Sequence, residues 1–243
     1  MIFHGYAYFS ATKVTQQAVL KKDICLDYIN MLRTNLTFLS FIERFCSENN
    51  EEKITLKSFK AGYRFIEQGE KISNIYIIKD GISKCYISEE NGKDFIIEFL
   101  GKGEVVGELE AIKKINCLCN VAVISDVTAY VIPDYLFLSL ISKSSEFTTI
   151  LLQELSTRII QTSTRASFQQ LYTLEYALLK LLKLQADEHI SISKDDMAAY
   201  LGISVRSFNR SLKQVVDKGG FDTPEFKNIL QLPNMKKLLE RLR

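Results

Sequence analysis

The sequence is poor in the residues that most enzyme and metal sites need. It has two histidines, His4 and His189, and no tryptophan in 243 residues. Because catalytic and metal-binding histidines act in groups, we expect neither an enzyme nor a metal cofactor. The five cysteines include no Cys-x-x-Cys pair, so we expect no iron–sulfur cluster and a chain that works in a reducing cytoplasm.

Long apolar runs are also missing from the sequence. No segment approaches the ~20 consecutive apolar residues that a membrane helix needs. Residues 1–20 lack the basic start and apolar core of a secretory signal. Apolar residues make up 47% of the chain and charged residues 25%, which is the balance of a folded globular protein. The sequence therefore predicts a folded cytoplasmic protein with no membrane partner.

Glycine is present but unevenly distributed. Seven of the 11 glycines lie between residues 62 and 107, where they separate short β-type runs that include the hairpin signals Asp80-Gly81 and Asn91-Gly92. This pattern predicts an antiparallel double-sheet jelly roll, or β-roll, at 53–135. Residues 1–52 are expected to form a helical extension, because the apolar spacing over 23–48 is that of an amphipathic helix.

A long helix is expected after the β-roll. Residues 136–170 contain no glycine and consist almost entirely of helix-forming residues. Apolar and small residues recur there at spacings of three and four, which is the pattern of a heptad seam and predicts pairing with a second copy in a homodimer. The seam residues are Leu152, Leu155, Ile159, Thr162 and Ala166.

The C-terminal part, 171–243, contains the spacing of a helix-turn-helix at 190–216. Gly202 suits the tight turn, and Ser204 is placed to cap the second helix. Ser211 departs from the pattern, since an apolar residue is usual there. The expected contact between the two helices is made by Met197, Ala198, Leu201, Ile203 and Phe208.

The second helix of this motif would present a polar surface suited to DNA. Arginine bonds guanine and asparagine bonds adenine in the major groove, so Arg206 and Asn209 are the predicted base readers. Val205 and Ser207 would shape that contact. The full predicted DNA-binding set is Ser193, Ser204, Val205, Arg206, Ser207, Asn209, Arg210 and Lys213, of which Ser193, Arg210 and Lys213 are expected near phosphates.

Charge divides unevenly between the two ends of the chain. Residues 189–243 contain 10 Lys and Arg against 6 Asp and Glu, a net charge of +4, whereas residues 1–188 contain 21 against 23, a net charge of −2. The basic excess lies where phosphate neutralisation requires it. In the same end, segments 218–221 and 228–232 predict a β-hairpin wing, and a last short helix is expected after them.

Together these features resemble the family of the cyclic AMP receptor protein and FNR (Crp/Fnr). Two segments carry the resemblance, IEQGEKISNIYIIKDGISKCYISEENGKDFIIEFLGKGEVVGELEAI at 66–112 and MAAYLGISVRSFNRSLKQV at 197–215. It implies an α+β fold with a cyclic-nucleotide-binding-like β-roll, a long dimerisation helix and a C-terminal winged helix-turn-helix. It further implies a homodimeric bacterial transcription regulator whose partners are a near-palindromic double-stranded DNA operator, RNA polymerase and a small-molecule effector.

The resemblance also implies an effector pocket. In nucleotide-binding members the phosphate pocket contains Gly-Glu-Leu, as at 107–109, followed by Arg-Ser or Arg-Thr; here 118–120 are Leu-Cys-Asn, and no arginine lies between 115 and 130. Without that cation Glu108 and Glu110 would leave the pocket negative, which disfavours cyclic AMP as the effector. No haem is expected, because neither histidine lies in the roll. The predicted pocket residues are Gly107, Glu108, Leu109, Leu118, Cys119 and Thr162.

Two other interpretations remain open. In one, a ligand-sensing β-roll acts through a protein partner without DNA binding, which Ser211 and the modest net charge of +4 over 189–243 favour. In the other, the protein is a constitutive regulator that needs no effector and is controlled by its abundance. An enzyme of the cupin type is not favoured, because such enzymes need several histidines inside the roll and residues 53–133 contain none.

Overall fold

The computed structural model describes residues 31–49 and 53–219. The first 30 residues of the predicted helical extension and everything after Gly219 lie outside the described residues. The predicted last short helix and nearly all of the predicted wing lie among these residues after Gly219. The first two residues of the predicted wing, 218 and 219, are the end of a helix, which corrects the start of the wing.

The helix predicted at 23–48 is wrong in its first half as far as the structure describes it. Leu32–Arg33 form a short strand, β1, that pairs in parallel with the strand Asp94–Leu100. Helix α1 spans Leu36–Asn49, and the Asn35 side chain accepts a hydrogen bond from the Phe38 amide at 2.9 Å. Helical spacing alone could not show this boundary, because a buried apolar residue such as Leu32 suits a strand equally well.

Two facing sheets form the predicted β-roll. One has the order β1-β6-β5-β8-β3 and the other β2-β9-β4-β7. Apart from the β1–β6 pair, all pairings are antiparallel. The strands after β1 are β2 Thr55–Phe59, β3 Arg64–Ile66, β4 Asn74–Asp80, β5 Ser83–Ser88, β6 Asp94–Leu100, β7 Val105–Val106, β8 Asn120–Val123 and β9 Val127–Pro133, with the short helix α2 at Glu108–Lys113 between β7 and β8.

Glycine is required in the turn between β6 and β7. Gly103 has φ +82°, and a Cβ built on it would lie 1.7 Å from the backbone oxygen of Asn35. Only a residue without a side chain permits that approach. The turn therefore holds the segment between β1 and α1 against the roll, where Asn35 N–H donates to the Lys102 carbonyl at 2.8 Å.

The helix predicted at 136–170 is two helices. α3 spans Asp134–Lys143 and α4 spans Ser145–Leu171. The helix is interrupted at Ser144, whose backbone is extended and whose side chain accepts a hydrogen bond from the Phe147 amide at 3.2 Å. A serine that caps a helix in this way ends one helix and begins another without glycine or proline, so the composition gave no sign of the break.

The helix-turn-helix follows helix α5, Leu174–Asp187. Its first helix, α6, spans Lys194–Leu201 and ends at Gly202, which has φ +68°, and its second, α7, spans Val205–Gly219. Met197 and Phe208 are fully buried between the helices, and Ser211 is also buried. Gly202 thus takes the left-handed turn conformation that was predicted for it.

The helix-turn-helix packs directly on the β-roll, an arrangement that the sequence did not predict. One apolar core contains roll residues such as Phe99 and helix-turn-helix residues such as Tyr200, whose rings stack with centroids 5.0 Å apart. Lys84 of β5 forms an ion pair with Asp196 of α6. Arg165 of α4 donates to the carbonyls of Ile96 and Tyr200, each at 2.9 Å.

No helix among the described residues is long and apolar enough to span a bilayer.

Candidate effector cavity and DNA-facing helix

A cavity of about 210 Å³ lies between the roll and α4. It is lined by residues from β1, β3, β5, β6, β7, β8, α2 and α4 and from the loop before β8. Its wall is mainly aliphatic, with Glu98, Glu108 and Glu110 as acidic members and Arg33 and Arg158 as basic ones. The structure brings together around this cavity all six predicted pocket residues: Gly107, Glu108, Leu109, Leu118, Cys119 and Thr162.

Arg158 of α4 is the dominant charged group of the cavity. Its Nε donates to Glu154 Oε1 at 2.9 Å, and its Nη2 donates to the Val105 carbonyl at 2.6 Å and to Glu104 Oε2 at 3.2 Å. Its Nη1 forms an ion pair with Glu108. The guanidinium is therefore engaged on all three of its nitrogens by groups of the protein itself.

Arg33 of β1 completes the same network. Its guanidinium lies 3.6 Å from Glu104 Oε2 and 3.4 Å from Glu154 Oε1, and Asn35 donates a hydrogen bond to the other oxygen of Glu154. The network thus ties the segment before α1, the roll and α4 to one another. The expected lack of a cation in the pocket is corrected by these contacts, because two guanidinium groups lie among its carboxylates.

Sequence reasoning missed both arginines for a physical reason. It looked for a cation next to residues 118–120, whereas Arg158 reaches Glu108 across 50 positions of the chain. The useful signal was the four-residue spacing of Glu154 and Arg158, which places their side chains next to each other on α4. A charged pair on the buried face of a helix predicts buried partners.

The cavity carboxylates are strongly affected by their burial. Burial raises the pKa of Glu104 to about 7, although Arg158 and Arg33 act in the opposite direction. Burial also raises the pKa of Glu108 and of Glu98, again against the effect of neighbouring arginines. For Arg158, burial lowers the pKa, but Glu108, Glu104 and Glu154 outweigh it and raise the pKa above its ordinary value. The guanidinium therefore stays charged, and burial favours the protonated form of Glu104.

The predicted DNA-binding residues lie around the N-terminal half of α7. Arg206, Asn209, Arg210 and Lys213 are exposed, and their spacing of three and four places them on one side of the helix. Ser204 accepts a hydrogen bond from the Ser207 amide at 3.2 Å, so it caps α7. The remaining members are Val205, which is exposed, Ser207, which is half-buried, and Ser193, which caps α6 by accepting from the Asp196 amide.

The seam of α4 is exposed in the single chain. Leu152 and Ile159 are 58% and 68% exposed, and Thr162 and Ala166 are exposed as well, while Leu155 is half-buried. The opposite face of α4 packs on the roll. Apolar side chains exposed along one stripe of a long helix are typical of a surface that another helix covers. Within the described ranges, no group of three or more His, Cys, Asp or Glu residues is arranged to hold a metal ion.

Comparison with known proteins agrees with this architecture. Residues 56–144 match the cyclic nucleotide-binding domain family. Comparison with curated proteins gives no significant match.

Solved structures show where the whole fold recurs. CLP of Xanthomonas campestris, a c-di-GMP-responsive global regulator, is 18% identical with a TM-score of 0.63, covering 74% of this chain and 92% of that one. A Crp/Fnr-family transcriptional regulator from Eubacterium rectale is 14% identical with a TM-score of 0.65, covering 82% and 93%. FixK2 of Bradyrhizobium japonicum is 16% identical with a TM-score of 0.59, covering 78% and 96%. The chain therefore has the fold of Crp/Fnr regulators and contains a cyclic nucleotide-binding domain.

Proposed function

We propose that this protein is a sequence-specific DNA-binding transcription regulator of the Crp/Fnr type that acts as a homodimer and recruits or contacts RNA polymerase. The observation that carries the proposal is the exposed row Arg206, Asn209, Arg210 and Lys213 on the second helix of a helix-turn-helix. All four side chains are exposed, so their donors are available to a partner. The basic excess of the C-terminal end supports the same function.

Dimer formation supplies the geometry that an operator needs. Pairing two α4 helices through the exposed seam would present two α7 helices to one face of a duplex. In dimeric helix-turn-helix proteins the two recognition helices enter successive major grooves ~34 Å apart on a near-palindromic site. Arg206 and Asn209 would then read base edges, while Arg210, Lys213 and Ser193 lie near phosphates.

A titration against DNA tests this function directly. The full chain is titrated into a fluorescent random duplex at low salt and followed by anisotropy. We expect measurable binding that weakens as salt is added, because phosphate contacts release counterions. A second candidate, a sensor that acts through a protein partner, is favoured by the buried Ser211 in the helix-turn-helix core. Absence of any DNA binding at low salt would leave only that second candidate.

Replacing Arg206 with alanine should cost about 1–3 kcal/mol of binding free energy at the cognate site and relax one base position. Arginine bonds guanine through two nitrogens at once, and alanine removes both bonds. Arg206→Lys is the matched control, because it keeps the charge and loses the bidentate geometry. Operators selected from random sequence by the parent and by each variant provide the measurement. A variant that selects the parent's operator with the parent's affinity would show that Arg206 does not read a base.

Replacing Lys213 with alanine should weaken binding to all duplexes alike and reduce the salt slope by about one unit. The reason is that a phosphate contact carries no sequence information. Lys71→Ala is the control, since Lys71 is exposed on the roll, away from α7. The slope of log Kd against log salt is the measurement, and an unchanged slope for Lys213→Ala contradicts a phosphate contact.

We further propose that the effector, where one is used, is not cyclic AMP. A cyclic phosphate needs a cation that is free to pair with it, and both arginines of the cavity are already paired with carboxylates of the protein. Releasing Arg158 for a ligand would leave Glu108 buried without its guanidinium partner and Glu104 with Arg33 alone. The cavity therefore suits a small neutral or cationic molecule with an apolar body.

Thermal unfolding in the presence of candidate ligands tests the effector. The panel contains nucleotides, 2-oxo acids, lipids, haem and short alkylamines. A ligand that binds the folded protein raises Tm by mass action, by about 2.7 kcal/mol of stability at a hundred times its Kd. We expect no shift with cyclic AMP. A saturable shift with cyclic AMP that Glu108→Gln abolishes would overturn the proposal.

A further inference from the structure

Two cysteines meet in the wall of the cavity. Cys85 lies on β5 and Cys119 lies directly before β8, and their sulfur atoms are 2.8 Å apart. Both residues line the cavity and both are half-buried. A disulfide bond is about 2.05 Å long, so the two sulfurs need to approach by less than about 1 Å to be joined.

The strand register explains why these two side chains meet. In the antiparallel pair of β5 and β8, Cys85 is opposite Val121. Cys119 is two residues before Val121, and side chains two positions apart on an extended chain point to the same face. The Cys119 side chain therefore lies on the same face of the sheet as the Cys85 side chain. The β5–β6 register also shifts between Cys85 and Tyr86, which turns the strand locally at the position of Cys85. The pair is thus held by backbone pairing and not by a flexible loop alone.

The hydrogen bond between the sulfurs gives them different roles. The Cys85 thiol donates to Cys119 Sγ. This bond and burial raise the pKa of Cys85 well above its ordinary value, so Cys85 keeps its proton. We assign Cys119 Sγ as the attacking atom, because it accepts this bond and its own proton is not committed to the pair. Cys117 does not compete, because burial raises its pKa to about 11.

We propose that Cys85 and Cys119 are a reversible redox-modification site, in which a peroxide closes the pair to an intramolecular disulfide. The Cys119 thiolate attacks one peroxide oxygen, the O–O bond breaks, and hydroxide leaves to give a sulfenic acid. The Cys85 sulfur then attacks the Cys119 sulfur, the S–O bond breaks, and the oxygen leaves as water with the Cys85 proton. The two thiols lose two electrons and the peroxide becomes two water molecules.

Closing the disulfide would alter the wall of the cavity. A disulfide would join β5 covalently to the segment that leads into β8, and both form the wall beside Glu110 and Leu118. Oxidation therefore changes the surface that an effector touches. In a reducing compartment disulfides are as a rule transient and regulatory, which is the behaviour expected of a half-buried pair in a cavity wall. This inference does not depend on DNA binding.

The experiment uses the full reduced chain. It is treated with one equivalent of hydrogen peroxide, the remaining thiols are alkylated, and peptides are mapped by mass spectrometry before and after reduction with dithiothreitol. We expect a Cys85–Cys119 linked peptide that dithiothreitol removes. In Cys85→Ala the reaction should stop at a Cys119 sulfenic acid, which dimedone traps. In Cys117→Ala the linked peptide should still form.

Three results would overturn the inference. The first is that Cys85 and Cys119 remain free at a peroxide dose that oxidises glutathione in the same tube. The second is that Cys119 is paired with Cys117, Cys46 or a second chain. The third is that dimedone labels no Cys119 in Cys85→Ala, with the far-ultraviolet circular dichroism of the variant unchanged. The mapping of the parent protein needs no variant, so misfolding of a variant cannot hide the answer.

Discussion

Replacing Arg158 with methionine should lower the free energy of unfolding by about 3–5 kcal/mol, because it removes the arginine of a buried ion network and leaves the carboxylates in place. The side chains of Glu104 and Glu108 would stay about 2% exposed; Glu108 would lose its guanidinium partner, and Glu104 would keep only Arg33. Methionine fills similar space without charge. The loss is therefore electrostatic in origin and not a packing defect.

Urea denaturation at fixed pH measures this effect. The control is Arg44→Met, since Arg44 pairs with Glu146 on the surface between α1 and α4, where both side chains are half exposed. Solvent screens an exposed pair of this kind, so we expect only a small loss from Arg44→Met. Equal losses in the two variants would mean that the cavity network has no special stability.

The loss in Arg158→Met should also grow with pH. The pKa of Glu104 in the folded parent is already raised to about 7 by burial, and Arg158 opposes that rise. Removing Arg158 raises the folded pKa further. A carboxyl with a raised folded pKa stabilises the protein while it is protonated and loses that contribution as pH rises through the folded pKa. We therefore expect a smaller loss at pH 5 than at pH 8, and a loss independent of pH would contradict the role of the carboxylates.

The β-roll and the helix-turn-helix were predictable because their signals are local. Glycines at turns, such as Gly81 between β4 and β5, mark positive φ values that other residues rarely adopt. The sequence around Gly202 and Ser204 encodes a turn and a cap within three residues. Signals of this kind depend on the chemistry of single residues and their neighbours, so they survive without knowledge of the tertiary structure.

The features that sequence reasoning missed are contacts between distant segments. Arg158 meets Glu108 across 50 positions, and Lys84 meets Asp196 across 112. The neighbourhood of each residue does not reveal which distant residue it meets, since a charged residue on a helix or strand is most often solvated. The strand at Leu32–Arg33 was missed for the same reason, because it exists only through its pairing with β6.

Helix α4 connects all parts of the molecule that the proposed function needs. One face carries Arg158, which enters the cavity network, and seven residues later Arg165, which holds the helix-turn-helix by the Tyr200 carbonyl. The other face carries the exposed seam with Ile159. A change in the cavity would therefore act on the same helix that contacts the helix-turn-helix and that carries the proposed dimer surface, as coupling between two sites requires.

Replacing Ile159 with aspartate should raise the dissociation constant of the dimer by about 100-fold or more, because each copy would bury a carboxylate in an apolar seam. Ile159 is 68% exposed in the single chain, so the fold of the protomer itself loses little. The control is Leu56→Asp, since Leu56 is 53% exposed on strand β2 of the roll, away from α4. Sedimentation velocity at micromolar concentration measures the change.

Loss of the dimer should weaken binding to the full operator. Two recognition helices on one particle bind two half-sites with an effective local concentration, and separating them costs about 10²–10⁴ in affinity for the full operator. Binding of Ile159→Asp to a single half-site should stay close to that of the parent, because α7 is untouched. A variant that remains dimeric would place the interface elsewhere, whereas a monomeric variant with full operator affinity would show that one α7 is sufficient for recognition.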